Sequence, residues 1–213
     1  MNLAPVLDVV TIPNNSIIGA KERSYGSDAA VVSDLGVRYI ETLQAAGVIA
    51  TAKHFPGHGP TPVDSHIDKP VAQVSKAELD EVHLAPFRAA VDAGVSAIMT
   101  VHIVYPAYDA DNPATLSPIW HGTILREKMG YKGVIVTDGM LMGAVDKHYT
   151  PAQSALASVT AGADILLYDH GVKQQKEAYT ALLAAARAGT ISRQRIDASV
   201  RRILLLKKQY RIW

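Results

Sequence analysis

Residues 133–140 read GVIVTDGM, an apolar and β-branched run that ends abruptly at Asp138. Its apolar side chains follow one another without alternation, which is typical of a strand buried on both faces. Four further runs share this character: LAPVLDVV (3–10), VIATAKHF (48–55), VSAIMTVHI (95–103) and ADILLYDH (163–170). The sequence therefore predicts five buried strands.

Helical patterns separate these predicted strands. We expect helices over 29–46, 76–93, 120–129 and 151–161, and two more after the last strand, over 174–188 and 193–208. Regular alternation of strands and helices indicates parallel strands joined by crossover helices. Two architectures fit this order, an open doubly wound sheet and a (β/α)8 barrel, and five strands are too few to close a barrel.

The composition predicts a soluble globular chain with one domain over 1–213. Hydrophobic residues make up 48% and charged residues 19% of the 213 residues. The 21 Lys+Arg balance the 20 Asp+Glu without a run of like charge, which argues against a nucleic-acid partner. No apolar run is long enough to form a membrane segment and no signal peptide is visible, so we expect a cytoplasmic location. The absence of cysteine excludes disulfides and thiolate chemistry.

Titratable side chains stand at the carboxyl end of every predicted strand. They are Asp8, Lys53 with His54, His102, Asp138, and Asp169 with His170. The carboxyl ends of parallel strands form one face of an α/β fold, where active sites are built. Burying the charge of Asp138 without a partner would be costly, which favours a nucleophile or a charge-paired core residue. For Asp8, Asp169 and His170, a role in a turn or a solvated loop is an equal alternative.

The loop after the second predicted strand, KHFPGHGPTPVDSHIDKP (53–70), carries three histidines and has a composition typical of functional loops. Asp64 can accept a hydrogen bond from one imidazole nitrogen of His66 and so raise the basicity of the other. This predicts that His66 shuttles protons. A metal site built from His54, His58 and Asp64 is the rival interpretation. The proline and glycine between His54 and His58 prevent the helical spacing of two histidines that would be a strong signal for a metal site.

Three ordered motifs resemble the glycoside hydrolases of family 3. They are KHFPGHG-x-T-x-x-DSH over 53–66, AIMTVHIVYP over 97–106 and GVIVTDGMLMGAV over 133–145. The similarity includes LAPVLDV, RSYGSD (23–28) and GADILL, and it extends from residue 1 to residue 208. Within the family, the chain resembles the bacterial β-N-acetylglucosaminidases that recycle peptidoglycan fragments.

The resemblance implies an incomplete (β/α)8 barrel of the TIM type, truncated at its N-terminus, with about five to six parallel strands. Met1 precedes what resembles the third strand of the family's barrel, so the first strands and a sugar-binding carboxylate on them have no counterpart in this sequence. Uncovered strand edges favour pairing with other chains. We therefore expect self-association into a homo-oligomer.

The resemblance also implies a retaining hydrolysis of β-linked N-acetylglucosamine through a covalent glycosyl-enzyme. Asp138 would be the nucleophile, and His66, held by Asp64, would be the general acid/base. The residues implied for the sugar site are Arg23, Lys53, His54 and Met140, although methionine is more often plain packing. No cofactor and no metal is implied, and the partner is a small carbohydrate.

Alternatives stay open at the level of sequence. A neutral imidazole as acid/base tolerates an anionic acceptor, so transfer of the sugar to phosphate is a variant. The missing strands favour an inactive or sugar-binding fragment as the second hypothesis, and the metal-dependent hydrolase is the third. Pro60 stands where the family usually carries aspartate, so the mobility of the loop with His66 is expected to differ.

Overall fold

The computed structural model describes residues 1–67 and 69–212, and six strands lie among them. They are β1 (Thr51–Phe55), β2 (Ala97–Thr100), β3 (Val104–Tyr105), β4 (Asp109–Pro113), β5 (Val134–Gly139) and β6 (Ile165–Leu167). A parallel sheet has the order β1-β2-β5-β6. Its register pairs Thr51 with Ala97, and Ala97 with Val134. Each of the last four predicted runs thus contains a strand of one parallel sheet.

The first predicted strand, 3–10, is an extended segment without a regular ladder. Asn2 and Val6 form isolated parallel bridges with Ala50 and Lys53. Pro5 has no N–H to donate, which limits regular pairing along this segment. The N-terminal segment is therefore a fifth parallel element beside β1, although it is not a continuous strand.

Seven α-helices lie in the described part of the chain. They are α1 (Ala29–Ala45), α2 (Lys76–Glu78), α3 (Ala85–Asp92), α4 (Gly143–Asp146), α5 (Pro151–Ala161), α6 (Val172–Arg187) and α7 (Arg193–Gln209). Side-chain caps set several of their starts, because the first amides of a helix lack partners within it. Asp28 accepts hydrogen bonds from the amides of Ala30 and Val31, and Thr150 forms a capping box with Gln153.

Two predicted helices differ from regular α-helices. The helix expected over 76–93 is divided into α2, a π-helical segment Leu79–His83, and α3. Pro86 lies in the first turn of α3, where its missing N–H costs no helical hydrogen bond. The helix expected over 120–129 is a π-helix, Ile119–Lys128, preceded by the 3-10 turn Ala114–Leu116. Periodicity alone does not distinguish these helix types.

Strands β3 and β4 form an antiparallel pair that the sequence did not predict. Tyr105 pairs with Asp109, and Val104 pairs with Pro113. The β4 segment reads DADNP and lacks the alternating apolar residues that indicate a strand. The pair follows His102, and after β4 the chain returns to the end of β2, where the amide of Thr115 donates to the carbonyl of Val101 at 3.1 Å.

Aromatic side chains form the centre of the core between the sheet and the helices. Phe55 of β1 contacts Phe87 and Trp120 edge to face, with ring centroids 5.3 and 5.8 Å apart. Burial of these three rings stabilises the packing of β1 against α3 and the π-helix. None of the helices among residues 1–67 and 69–212 is both long and apolar enough to cross a membrane.

Candidate active site

The carboxylate of Asp138 lies at the end of β5, mostly buried, at the face predicted to be functional. Burial by itself raises the pKa of Asp138. The neighbouring side chains of His54, His102 and Lys53, with a hydrogen bond from the Gly139 amide, outweigh burial and lower the pKa below its usual value. Asp138 is therefore ionised at neutral pH and has the charge that a carboxylate nucleophile needs.

Asp8, at the end of the N-terminal segment, is fully buried and joins two histidines of the loop 53–70. Its Oδ2 lies 2.6 Å from Nδ1 of His54, and its Oδ1 accepts from the backbone amide of His58 at 2.6 Å. Burial opposes the charge of Asp8, but these two histidines lower its pKa overall. The turn or solvated-loop alternative for Asp8 is thus replaced by a buried anchor of the loop.

Arg23, Lys53 and His54 form the cationic cluster beside Asp138. Nη2 of Arg23 lies 3.2 Å from Nε2 of His54. Because a guanidinium can only donate, Nε2 of His54 accepts and its Nδ1–H donates to Asp8. Lys53 is half-buried, and burial followed by the charge of Arg23 lowers its pKa, while Asp138 and Asp8 oppose this. The three residues implied for sugar hydroxyls are brought together.

Asp64 and His66 pair as predicted. Nδ1 of His66 lies 2.7 Å from Oδ1 of Asp64, which also accepts from the His66 amide at 2.9 Å. A carboxylate only accepts, so Nδ1 carries the hydrogen and Nε2 is left for chemistry. Burial raises the pKa of Asp64, but the hydrogen bonds and charge of His66 lower it overall. The His66 side chain is 55% exposed, which keeps it accessible to a substrate.

The loop with Asp64 and His66 is fastened to the turn that follows Asp138. The amide of Gly143 donates to the carbonyl of His66 at 3.1 Å, and the amide of Ala144 donates to that of Ser65 at 3.1 Å. His66 also lies near enough to His102, which flanks Asp138, for an electrostatic interaction between the two imidazoles. The acid/base candidate and the nucleophile candidate therefore belong to one assembly.

Sequence reasoning missed Asn15, a buried residue that clamps the other half of the loop. Its Nδ2 donates to the carbonyls of His58, Gly59 and Thr61 at 2.9, 3.2 and 3.0 Å. Its Oδ1 accepts from the amide of Ile18 at 2.7 Å. Asn15 lies in a stretch without periodicity or motif, so no sequence signal marked it.

His102 is fully buried between β2 and β5. Its Nε2–H donates to the carbonyl of Gly139 at 2.9 Å, and its Nδ1 lies 2.9 Å from Oγ1 of Thr115. Burial lowers the pKa of His102, although the charge of Asp138 opposes the shift. His102 therefore supports the end of β5 from inside the sheet.

Three of the remaining candidates make no side-chain hydrogen bond to the described residues of this assembly. Met140 is 1% exposed and packs with Leu116 and Val145, so the structure places it in the core and not at the sugar site. The change of direction after Gly139 accounts for this. Asp169 and His170 pair with each other at 2.8 Å and are mostly exposed. This fits the solvated-loop alternative for the end of β6.

The residues proposed as metal ligands are poorly arranged to bind a metal ion. Nδ1 and Nε2 of His54 already face Asp8 and a guanidinium, and Nε2 of His58 lies 3.1 Å from Oγ of Ser65. A guanidinium beside a ligand nitrogen would repel a cation. Across residues 1–67 and 69–212, no group of three potential ligands is arranged to hold a metal ion.

Comparisons with known proteins point to one family. The N-terminal domain of glycosyl hydrolase family 3 matches residues 1–206. The structure of a family 3 β-N-acetylglucosaminidase from Paenibacillus sp. str. FPU-7 is 46% identical, with a TM-score of 0.97 over 100% of this chain and 40% of that chain. Beta-hexosaminidase A from Pseudoalteromonas piscicida is 34% identical over 97% of this chain and 37% of its own length. An uncharacterized secreted glycosyl hydrolase from Arthroderma benhamiae is 35% identical over 98% of this chain and 60% of its own.

The chain thus spans about two fifths to three fifths of the length of these relatives. The match confirms that the open sheet is an incomplete barrel of the (β/α)8 type. Among residues 1–67 and 69–212 the parallel sheet has four strands, with the N-terminal segment bridged to its first strand, where the sequence predicted about five to six strands. On the extent of the family match and the shared fold, the chain belongs to glycosyl hydrolase family 3.

Proposed function

We propose that the chain is a retaining exo-β-N-acetylglucosaminidase that removes β-linked N-acetylglucosamine from peptidoglycan-derived fragments. The observation that carries the proposal is the ionised Asp138, which faces the cationic cluster while the Asp64–His66 pair is fastened to the turn after the same strand. Relatives named β-hexosaminidase and β-N-acetylglucosaminidase support the substrate class. The peptidoglycan origin of the substrate follows from the sequence resemblance alone.

In the first step, an oxygen of the Asp138 carboxylate attacks the anomeric carbon and the glycosidic bond breaks. His66 in its doubly protonated form gives the Nε2 proton to the leaving oxygen, and the negative charge of Asp64 stabilises the imidazolium beforehand. The cationic cluster holds the sugar hydroxyls and fixes the ring against Asp138. The products are a covalent glycosyl-enzyme and a free alcohol.

In the second step, neutral His66 removes a proton from water at Nε2. The water oxygen bonds to the anomeric carbon, the ester to Asp138 breaks, and N-acetylglucosamine leaves with its original configuration. Both displacements invert the centre, so the overall result is retention. An imidazole thus takes the place of the second carboxylate that retaining glycosidases usually use, and no cofactor is required.

The first test is release of nitrophenol from nitrophenyl β-N-acetylglucosaminide by the purified chain and by its Asp138→Asn variant. We expect Asp138→Asn to reduce kcat by roughly 10⁴-fold or more, because an amide cannot form the glycosyl-enzyme. Asp197→Asn is the matched control, since Asp197 is a mostly exposed carboxylate in α7, away from the strand ends. Equal turnover by Asp138→Asn and the unaltered chain would rule out Asp138 as the nucleophile.

The same assay separates the alternatives. Sugar 1-phosphate formed on addition of phosphate would identify phosphorolysis, because phosphate then replaces water in the second step. A folded chain that binds N-acetylglucosamine without turnover would be the sugar-binding fragment. Activity that a chelator abolishes would favour the metal-dependent hydrolase.

The cytoplasmic location stays a prediction, and one relative is named as secreted. Fractionation of the cells that produce the protein, with detection by antibody, decides between the two locations.

A further inference from the structure

Ser65 stands between the two members of the acid/base pair and differs from both in its surroundings. Its side chain is buried, with 1% exposure, while that of His66 is 55% exposed. Oγ of Ser65 lies 3.1 Å from Nε2 of His58. Asp64 and His66 therefore project from a point that is anchored inside the protein.

His58 is suited to anchor this point because it is itself fixed. It is 2% exposed, and its backbone amide donates to Asp8 at 2.6 Å. Burial lowers the pKa of its ring to about 4, so the ring is neutral at neutral pH. Its Nδ1 has no hydrogen-bond partner among the described residues, which leaves the Ser65 hydroxyl as the hydrogen-bonding contact of the ring.

Hydrogen bonds join the sugar-binding side of the site to the acid/base side through these residues. His54 of the cationic cluster and the amide of His58 both bond to Asp8. The ring of His58 then contacts Ser65, whose carbonyl accepts from Ala144 in the turn after Asp138. Ser65 thus connects the cationic cluster, the Asp64–His66 pair and the turn after Asp138.

We propose that Ser65 and His58 are positioning residues, whose contact holds the Asp64–His66 pair at its working distance from Asp138. Neither side chain needs to touch the substrate for this role. The proposal rests on the proposed function of His66. Displacement of an acid/base group by about 1 Å can cost 100-fold in rate.

The decisive variant is Ser65→Ala, assayed with two substrates. We expect kcat for a glycoside with a sugar leaving group to fall about 10-fold to 100-fold, because departure of that group needs the proton of His66. The dinitrophenyl glycoside leaves without protonation, so formation of the glycosyl-enzyme from it, followed as the burst of dinitrophenol, changes less than about threefold. His58→Phe removes the same contact from the other side and is expected to show the same pattern. Ser154→Ala is the control, since Ser154 is a buried serine in α5.

A double variant shows through which residue Ser65 acts. Adding Ser65→Ala to His66→Ala is expected to cause no further loss of kcat with the sugar leaving group. The effects of substitutions on residues that act as one unit are not additive. An equal loss with both substrates, or full additivity with His66→Ala, would overturn the positioning role.

Amide hydrogen exchange provides a readout that does not depend on turnover. The amides of Gly143 and Ala144 donate to the carbonyls of His66 and Ser65. We expect the exchange rate of these two amides to rise about 10-fold in Ser65→Ala and to stay unchanged in Ser154→Ala. Thermal unfolding curves check that both variants are folded. Unchanged exchange in Ser65→Ala would overturn the proposal. If the unaltered chain turns over neither substrate, the proposed function fails and the exchange result still decides the positioning.

Discussion

Two buried histidines, His58 and His121, make the stability of the fold depend on pH. Burial lowers the pKa of His58 to about 4, and burial with the charges of Arg126 and Arg195 lowers the pKa of His121 to about 3. As pH falls through about 6.5, the unfolded chain takes up protons at these positions and the folded chain does not. The folded state therefore loses stability between about pH 6.5 and pH 4. Asp8 contributes in a lower pH range. Because its pKa is lowered in the folded state, its contribution to stability is lost only as pH falls below the ordinary value of 3.8.

Replacing His121 with leucine is expected to flatten this dependence. One buried neutral histidine contributes at most about 1.4 kcal/mol per pH unit to the free energy of unfolding in that range. Urea unfolding of the unaltered chain and of His121→Leu, at several values from about pH 4.5 to 6.5, measures the two slopes. The control is His170→Gln, since His170 is mostly exposed. Equal slopes in His121→Leu and the unaltered chain would contradict the account.

Much of the candidate site could be predicted at the level of residues, and the reason is geometric. Lys53, His54 and Asp138 end parallel strands, so the fold class alone brings them to one face. Asn15 could not be predicted, because its three hydrogen bonds depend on how two loops meet in space. Met140 follows the end of a strand, where the direction of a side chain depends on the turn and not on strand alternation.

At the scale of elements, the turn between β5 and α4 controls the position of the loop 53–70. A Cβ on Gly143 would lie 2.5 Å from the carbonyl oxygen of Ile67 and 2.8 Å from that of His66. Both distances are below van der Waals contact with backbone atoms that cannot rotate away. Glycine at 143 is therefore a condition for close approach of the loop to the end of β5.

Gly143→Ala is expected to push this loop off the turn. The clash costs about 1–3 kcal/mol if the loop stays in place, so the loop is expected to shift and turnover of a sugar-leaving substrate to fall roughly 100-fold. Gly122→Ala is the control, because a Cβ at Gly122 meets no atom within 4 Å. Measuring kcat and thermal unfolding for both variants checks the expectation. A Gly143→Ala chain with unaltered kcat would show that the loop position does not matter.

Predictability differs from one element to another for physical reasons. The runs containing β1, β2, β5 and β6 are continuously apolar, so burial on both faces marks them. The N-terminal segment has the same pattern, but Pro5 lacks the amide that a regular ladder needs. The π-helix Ile119–Lys128 could not be told from an α-helix, because hydrophobic periodicity does not report which carbonyl each amide bonds to.

At the scale of the whole molecule, the parallel sheet has two edges that no strand covers among residues 1–67 and 69–212. At one edge, the N-terminal segment forms bridges to Ala50 and Lys53. At the other edge, β6 pairs with β5 on one side and with no described strand on the other. Side chains near the first edge are apolar and exposed, including Met1 at 53% and Leu3 at 38%. Open edges of this kind pair with other chains.

The organisation as a single domain also stays a prediction, which coincident unfolding by fluorescence and circular dichroism checks.

Self-association through the N-terminal edge is the expected consequence. Light scattering from micromolar to millimolar protein is expected to show an average mass that rises with concentration, because unpaired strand edges bind one another. Leu3→Lys places a charge on this edge and is expected to reduce the rise, since charged edge residues oppose strand pairing. The control is Val200→Lys, which puts the same charge on an exposed apolar residue of α7, in a helix and not on a strand edge. A constant monomer mass for the unaltered chain, or an equal effect of the two lysine variants, would show that the edge does not drive association.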